Sequence, residues 1–455
     1  MCRSRRHVQR LTAALAAALT VLCVALDAGA HGAFPKVLQA VADPSDPNRI
    51  WARATHGMLR SSDAGKSWYW LCTQAAGYAQ TDEPLMGVTA SGALLMGTFG
   101  GLLVSADQGC GWANPSVSLA TSVTGLAVDE GNPSRVVVLL STGASGGKFQ
   151  SELWQSLDAG VTFQKVSSLD PNTLYLSVGI ASSDPARLYL TGLPGAGGGK
   201  CVAFRSGDSG QTWASAELPA APGSGGEIVG VHPSNPDVVF VRTKLTTSDA
   251  TEGALLASSD GAESFAVVLK KAAPLMGFTL SPDGSSAFAA YGNPRGGVVV
   301  SEPDLGLYVA ATSNNSFARV QAGPVACASF IAGELWACTS QFDHGFELGR
   351  SSDGGKSFTK VMELAGITGP VECPATSTVG TVCPTVERSW DDVCRDIGKC
   401  EVHPGGGGNS SSSSTDDGSC GCRAGSGRGV APPGVLALLA ILALGFRPRR
   451  RVNVS

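Results

Sequence analysis

The sequence predicts an all-β chain: a seven-bladed β-propeller of four-stranded antiparallel blades, followed by a small cysteine-rich helical module. Three observations predict it. An octapeptide recurs at near-equal spacing, a proline turn precedes most copies, and the composition is rich in turn residues but poor in charge. Glycine supplies 59 and proline 25 of the 455 residues, and charged residues make up 15%. That is more glycine and proline than an average chain carries and less than a disordered low-complexity one. So few charges exclude a long coiled coil and a charge-rich disordered protein.

The octapeptide reads Ser-x-Asp-x-Gly-x-Ser/Thr-Trp/Phe. Its copies begin at Ser61, Ser105, Ser156, Ser206, Ser258 and Ser351, with aspartates at Asp63, Asp107, Asp158, Asp208, Asp260 and Asp353. A decayed copy, Ala310 to Phe317, fills the gap before the last. The units are about 48 residues long, a length that holds four short strands and their turns. The pattern suits a tight hairpin. The aspartate carboxylate accepts backbone N–H bonds across the turn, and glycine takes the positive φ. The Trp or Phe begins the next strand and packs under the turn. Ala262 stands where the other copies have glycine, which predicts a strained or differently shaped turn there.

A proline turn lies upstream of most copies, as in Asp43–Trp51, Asp129–Val136 and His232–Val239. It sits between largely apolar runs such as Val123–Val128 and Val136–Leu140, which read as strand, turn, strand. Each unit is then strand A, proline turn, strand B, variable loop, strand C, octapeptide, strand D. Seven such units close into a ring, because no blade buries its faces alone. The predicted blades span about 34–75, 84–117, 118–168, 169–219, 220–272, 273–322 and 323–365. The octapeptide is similar to the Asp box of bacterial neuraminidase repeats, as in sialidase- and sortilin-like propellers. The resemblance implies that the boxes lie at the blade periphery, so the six aspartates are read as structural.

Both ends read as addresses. Residues 1–30 have an arginine-rich start, the apolar run Leu11–Leu26 and Ala28-Gly29-Ala30 as a cleavage site, the three parts of a secretory signal. A membrane-anchoring helix is the alternative. The propeller is expected over 31–366, the cysteine-rich module over 367–403 and a Gly/Ser linker over 404–419. Residues 420–455 carry Cys420-Gly421-Cys422, the apolar stretch Gly434–Phe446 and Arg447, Arg449, Arg450 and Arg451. Thirteen apolar residues rise about 20 Å as a helix, short of a ~30 Å bilayer core. This tail resembles the myxobacterial C-terminal sorting signal, MYXO-CTERM. The resemblance implies a transient membrane helix, removal of the tail by a sorting protease after signal peptidase has cut the front, and display on the cell surface or outer membrane through a modified Cys420 or Cys422. A plain tail anchor is the alternative.

With the terminal arginines and Asp27 set aside, about 23 basic residues face about 36 acidic ones, a net charge of about −13. Such a body argues against nucleic acid and against an anionic membrane as partners. Thirteen cysteines, two of them in the leader, suit an oxidising compartment. Cys72 and Cys110 occupy neighbouring blades and are expected to pair. Cys327 and Cys338 flank a hairpin and are expected to pair as well. Cys373, Cys383, Cys394 and Cys400 form a separate cluster around a helix read over Thr385–Ile397. Metal binding by that cluster is disfavoured, since no Cys-x-x-Cys pair is present. No metal and no cofactor are expected. Cys201 is left over as a free thiol in blade 4.

An enzymatic role needs a site that is hard to find here. A sialidase-type glycosidase needs three arginines, a Tyr–Glu pair and an acid at the axis. Arg60, Arg205 and Arg350 instead precede boxes, and Arg49, Arg135 and Arg187 sit in proline turns. Only Arg53 and Arg242 fall on inner strands. A xyloglucan-type hydrolase or a lyase needs two carboxylates across a cleft. Asp82, Glu83, Glu252 and Asp343 lie in loops that face one end of the axis or are plain solvated acids. His56, His232 and His344 show no ligand spacing, and only His344 beside Asp343 makes a pair. The expected function is therefore non-enzymatic binding of an unknown protein, peptide or glycan ligand, with Asp82, Glu83, Asp343 and His344 as ligand-loop candidates. A secreted glycoside hydrolase and a surface scaffold without its own ligand are the alternatives.

Overall fold

The computed structural model describes residues 36–79, 82–143, 145–195, 199–246, 251–292, 303–386 and 390–397. Seven sheets surround a common axis. Blade 1 holds β1 (Val37–Asp43), β2 (Asp46–Ala54), β3 (Gly57–Ser61) and β4 (Trp68–Leu71). Blade 2 holds β5 (Leu85–Val88), β6 (Leu94–Thr98) and β7 (Gly101–Ser105). Blade 3 holds β8 (Val123–Val128), β9 (Val136–Gly143), β10 (Phe149–Ser156) and β11 (Gln164–Ser168). Blade 4 holds β12 (Thr173–Ile180), β13 (Leu188–Pro194), β14 (Val202–Ser206) and β15 (Ala214–Glu217). Blade 5 holds β16 (Gly225–Val231), β17 (Val239–Thr246), β18 (Thr251–Ser258) and β19 (Ala266–Lys271). Blade 6 holds β20 (Leu275–Leu280), β21 (Ser286–Tyr291), β22 (Gly306–Ala311) and β23 (Ala318–Ala322). Blade 7 holds β24 (Cys327–Ile331), β25 (Glu334–Cys338), β26 (Leu348–Ser351) and β27 (Thr359–Met362). Within each blade neighbouring strands are antiparallel and follow chain order. In blade 2 a single bridge, Val104 to Ala113, stands where the fourth strand is expected.

The octapeptides close the C–D hairpins. In blade 4 the Ser206 hydroxyl donates to Asp208 at 2.7 Å and accepts from the Gly210 N–H at 2.8 Å. Asp208 in turn accepts from the N–H of Gln211 and from the N–H and hydroxyl of Thr212. Blades 1, 3, 5 and 7 repeat the serine, aspartate and hydroxyl bonds. Ala262 keeps the common turn shape rather than a new one. It takes φ +69° with Gly261 at +71°, and its N–H still donates to Ser258 at 2.8 Å. Four of the other boxes place a non-glycine residue at positive φ one position earlier, at Ala64, Gln108, Ala159 and Ser209, while the last has Gly354 there. The residue after each aspartate in blades 1, 3 and 4 donates to the proline turn of its own blade: Ala64 to Asn48, Ala159 to Ser134, Ser209 to Ala186. Gly261 does the same to Asp237 in blade 5. This bond explains why the two motifs recur together.

Glycine also recurs where the innermost strands converge. A Cβ on Gly87 would stand 2.7 Å from Val128, on Gly179 2.7 Å from Ile228, and on Gly277 2.7 Å from the backbone of Cys327. Each contact is with the next blade. Tight convergence at the axis leaves no room for a side chain at these positions.

The ring closes through the chain that follows blade 7. β28 (Ile367–Pro370) pairs in parallel with β4 and gives blade 1 a fifth strand. The expected Cys72–Cys110 bridge is not formed. Cys72 bonds Cys383 and Cys110 bonds Cys373, each with Cα atoms 5.5 Å apart. Two of the four cysteines read as a separate cluster are thus partners of the propeller. The post-propeller segment inserts between the two blade positions and takes both thiols. Cys327 and Cys338 do pair, with Cα atoms 4.8 Å apart across the β24–β25 hairpin. Cys201 is a buried free thiol that burial raises to about 11. Among the described residues lie three short α-helices: α1 (Gln341–His344), α2 (Thr378–Val382) and α3 (Trp390–Asp396). Trp390 packs on Trp70 with ring centroids 5.8 Å apart, which docks the helical module on blade 1. The leader, Cys400, the linker and the tail with Cys420 and Cys422 lie outside the described residues. Among those described, no helix is long and apolar enough to cross a membrane.

Candidate ligand-binding channel

The innermost strands run in the same direction around the axis, so equivalent ends meet at each mouth. At the strand starts lies a cavity of about 390 Å3, lined by Leu38, Leu176, Gly226, Leu275 and Ala326 and by the charged residues Arg53, Glu83, Glu227 and Arg242. Strand β17 aims Arg242 at this mouth. Its guanidinium donates twice to Glu227, at 2.9 and 2.6 Å, and to the carbonyls of Leu275 and Met276 at 3.2 and 2.8 Å. These bonds tie blade 5 to blade 6 and neutralise one of the two carboxylates. Arg53 donates to Gln39, which itself donates to Met86 of blade 2.

Of the predicted ligand-loop residues, Glu83 reaches this mouth. Asp82 sits beside it in the loop between blades 1 and 2 and accepts the N–H of Ala79 at 3.1 Å. Asp343 and His344 lie together on α1. His344 turns to Gln321 of blade 6 and packs near Phe346, while Asp343 lies within electrostatic reach of Lys36. Glu252 forms an ion pair with Lys270 on the neighbouring strand. The structural arginines keep structural partners: Arg49 with Asp43, Arg187 with Asp237, Arg205 with Glu263, and Arg350 with Glu334.

Sequence reasoning missed Glu347. It is 1% exposed and accepts the N–H of Gln341 at 2.9 Å and of Val37 at 3.4 Å. It thereby joins blade 7 to the first strand of blade 1. Burial pushes its carboxyl up to about 7, against the pull of those two N–H groups and Lys36. Burial lowers Lys36 in turn, with Glu347, Asp343 and Glu83 opposing. A lone Glu between Phe346 and Leu348 was the available signal. Enclosure removes it from contact with a substrate, so its role is to hold the seam.

Towards the other mouth lies a second cavity of about 640 Å3, walled by all seven innermost strands. Its lining mixes apolar side chains such as Val41, Ile180, Leu280 and Phe330 with polar groups, among them Gln39, Asp129, Glu130 and Ser329. The proline turns form its rim through Pro44, Glu130, Pro133, Pro233 and Pro282. The Asp boxes lie outside this lining. No group of three or more His, Cys, Asp or Glu residues suited to a metal occurs among the described residues.

The family described as "Sortilin, neurotensin receptor 3" has a model that matches residues 151–288, under a third of the chain. No curated protein matches the chain by sequence. Among solved structures, an ancestral GH74 enzyme is 17% identical with a TM-score of 0.49, covering 72% of this chain and 46% of its own. The GH74 xyloglucanase from Xanthomonas campestris is 18% identical with a TM-score of 0.39, covering 71% and 60%. The Pan2 WD40 domain of Neurospora crassa is 11% identical with a TM-score of 0.44, covering 72% and 91%. The chain thus spans about half the length of the first of these. Its resemblance by sequence is to a sortilin-like β-propeller over residues 151–288.

Proposed function

We propose that the protein is an exported, surface-displayed and non-enzymatic propeller that binds a protein, peptide or glycan through its axis. The axial cavities carry this reading. Concave spaces of several hundred Å3 that combine apolar walls with placed polar groups are where ligands bind. The charged mouth favours binding over hydrolysis, because Glu227 is held by Arg242 instead of standing free opposite Glu83. The name of the matching family, which includes a receptor, agrees with a binding role. Export and display rest on the leader and on the Cys-Gly-Cys, apolar stretch and arginine tail.

The test is a screen of the mature protein against glycan and surface-protein panels, run beside a glycosidase assay. A retained ligand that Arg242→Ala releases, with no sugar hydrolysed, is the expected result. Turnover of a polysaccharide that Glu83→Gln abolishes would replace the binding reading with the hydrolase. Intact mass of the surface form tests the addresses: residues 434–451 should be missing, and their presence would refute the sorting signal.

A further inference from the structure

Every blade is built from its own consecutive strands. Among the described residues the two ends of the chain share a sheet at one place, where β28 joins the outer edge of blade 1. Beyond β28 the chain stays fixed to blades 1 and 2. The Val371 N–H donates to Trp70 at 2.8 Å and the Val379 N–H to Cys110 at 2.9 Å. The Thr378 hydroxyl accepts the N–H of Trp112 at 3.2 Å, next to the place where blade 2 lacks a full fourth strand. Val371, Val379, Val393 and Ile397 are buried in one cluster with Trp70 and Leu71. Cys373 is bonded to Cys110, and Cys383 to Cys72. The segment 367–397 thus lies against the outer edges of blades 1 and 2 and is cross-linked to both, although in sequence it follows blade 7.

We propose that this segment is a strap that passes tension from the C-terminal tail directly into blades 1 and 2 and keeps it off blade 7. This rests on the reading of the protein as displayed through that tail, because a propeller held at one end and gripping a ligand is pulled along this path. Without the bridges, a pull beyond Ile397 would reach β28 and then β27, the outermost strand of blade 7. Blade 7 would then be stripped strand by strand, since its four strands follow chain order. A strand peeled from its end resists with one weak hydrogen bond at a time, whereas a disulfide holds until a covalent bond breaks. With the bridges, the pull leaves the segment at Cys383 and enters Cys72 at the end of β4. Cys373 and Cys110 stand behind it as a second stop. Residues 323–373 then carry no tension.

Optical tweezers test the strap on the mature protein. One DNA handle joins a peptide tag inserted after Pro222, in the exposed connection between blades 4 and 5, and the other joins the C-terminus. In the wild type the first step should release no more than residues 384–397, about 50 Å of chain. Cys110→Ala with Cys373→Ala should give the same step. Cys72→Ala with Cys383→Ala leaves only the second stop and should release residues 374–397, about 85 Å. The variant with all four changes should lose blade 7 together with the strap, residues 323–397, in a first step of up to about 260 Å. Wild type fully reduced with dithiothreitol, as counted by thiol labelling, should match it and serves if the fourfold variant does not fold. A ~260 Å first step in the oxidised wild type, or a first step in an unbridged form that stops short of blade 7, would overturn the proposal. The measurement needs no cell surface, so its failure would leave display standing, and failure of display is read separately from the mass of the surface form.

Discussion

Removing the two long-range disulfides tests whether they close the ring. Cys110 and Cys373 are 263 residues apart, and Cys72 and Cys383 are 311 apart. In the chain-entropy account, closing either loop alone constrains the unfolded chain by about 5.6 kcal/mol. The loops are nested, however. With one bridge in place, the other closes only the short stretches 72–110 and 373–383, about 48 residues, for about 4 kcal/mol. Removing one pair, as in Cys72→Ala with Cys383→Ala, should therefore cost at most about 4 kcal/mol. Removing all four cysteines should cost up to about 10 kcal/mol, more than twice the single loss. The assay is urea denaturation of the wild type, the two double variants and the quadruple variant under non-reducing conditions. A quadruple variant whose loss equals that of one pair would refute the nested-closure argument, and one as stable as wild type would show that the tail does not close the ring.

Other outcomes follow from the boxes and the seam. Asp260→Ala removes an acceptor of two N–H and two hydroxyl donors. It should cost about 1 kcal/mol in a melting experiment, the low end for an exposed charged acceptor, while Asp82→Ala stays within about 0.5 kcal/mol of wild type. Thr162 and Ser156 hold Asp158 down to about 2, and Ser264 and Ser258 hold Asp260 there too. Because these folded values lie below the unfolded ~4, the boxes' contribution is present above pH ~4 and lost as pH falls towards 2. Acid titration of stability that is flat across that window in the wild type would contradict the box geometry. Glu347 has the opposite sign. Its folded value of about 7 exceeds the ordinary one, so its contribution is full below pH ~4.5 and lost as pH rises through 7. Melting temperatures at pH 5 and pH 8 should show a decline in the wild type that Glu347→Gln flattens; equal declines would place the titration elsewhere.

Blade number and strand order were legible because the information is local. Ser206, Asp208, Gly210 and Thr212 bond to one another within seven residues, so the turn they make appears in the sequence as an octapeptide, and its period counts the blades. The proline turns were legible for the same reason, though not their bond to the boxes. Even the decayed copy keeps its hairpin, since β22 and β23 still pair without an aspartate between them.

Tertiary structure alone decided what happens between blades. The partners of Cys72 and Cys110 lie across some three hundred residues, and no local pattern specifies which thiol arrives. Glu347 meets Val37 only because the last blade abuts the first. The glycines Gly87, Gly179 and Gly277 are unremarkable in their own strands and become necessary only when the next blade crowds them at the axis. The same holds for the axial cavities: each innermost strand contributes a few residues that read as ordinary core, and only closure of seven strands around an axis turns them into the lining of a cavity. Short-range hydrogen bonds write themselves into sequence as motifs, whereas packing between residues far apart in the chain leaves no such mark.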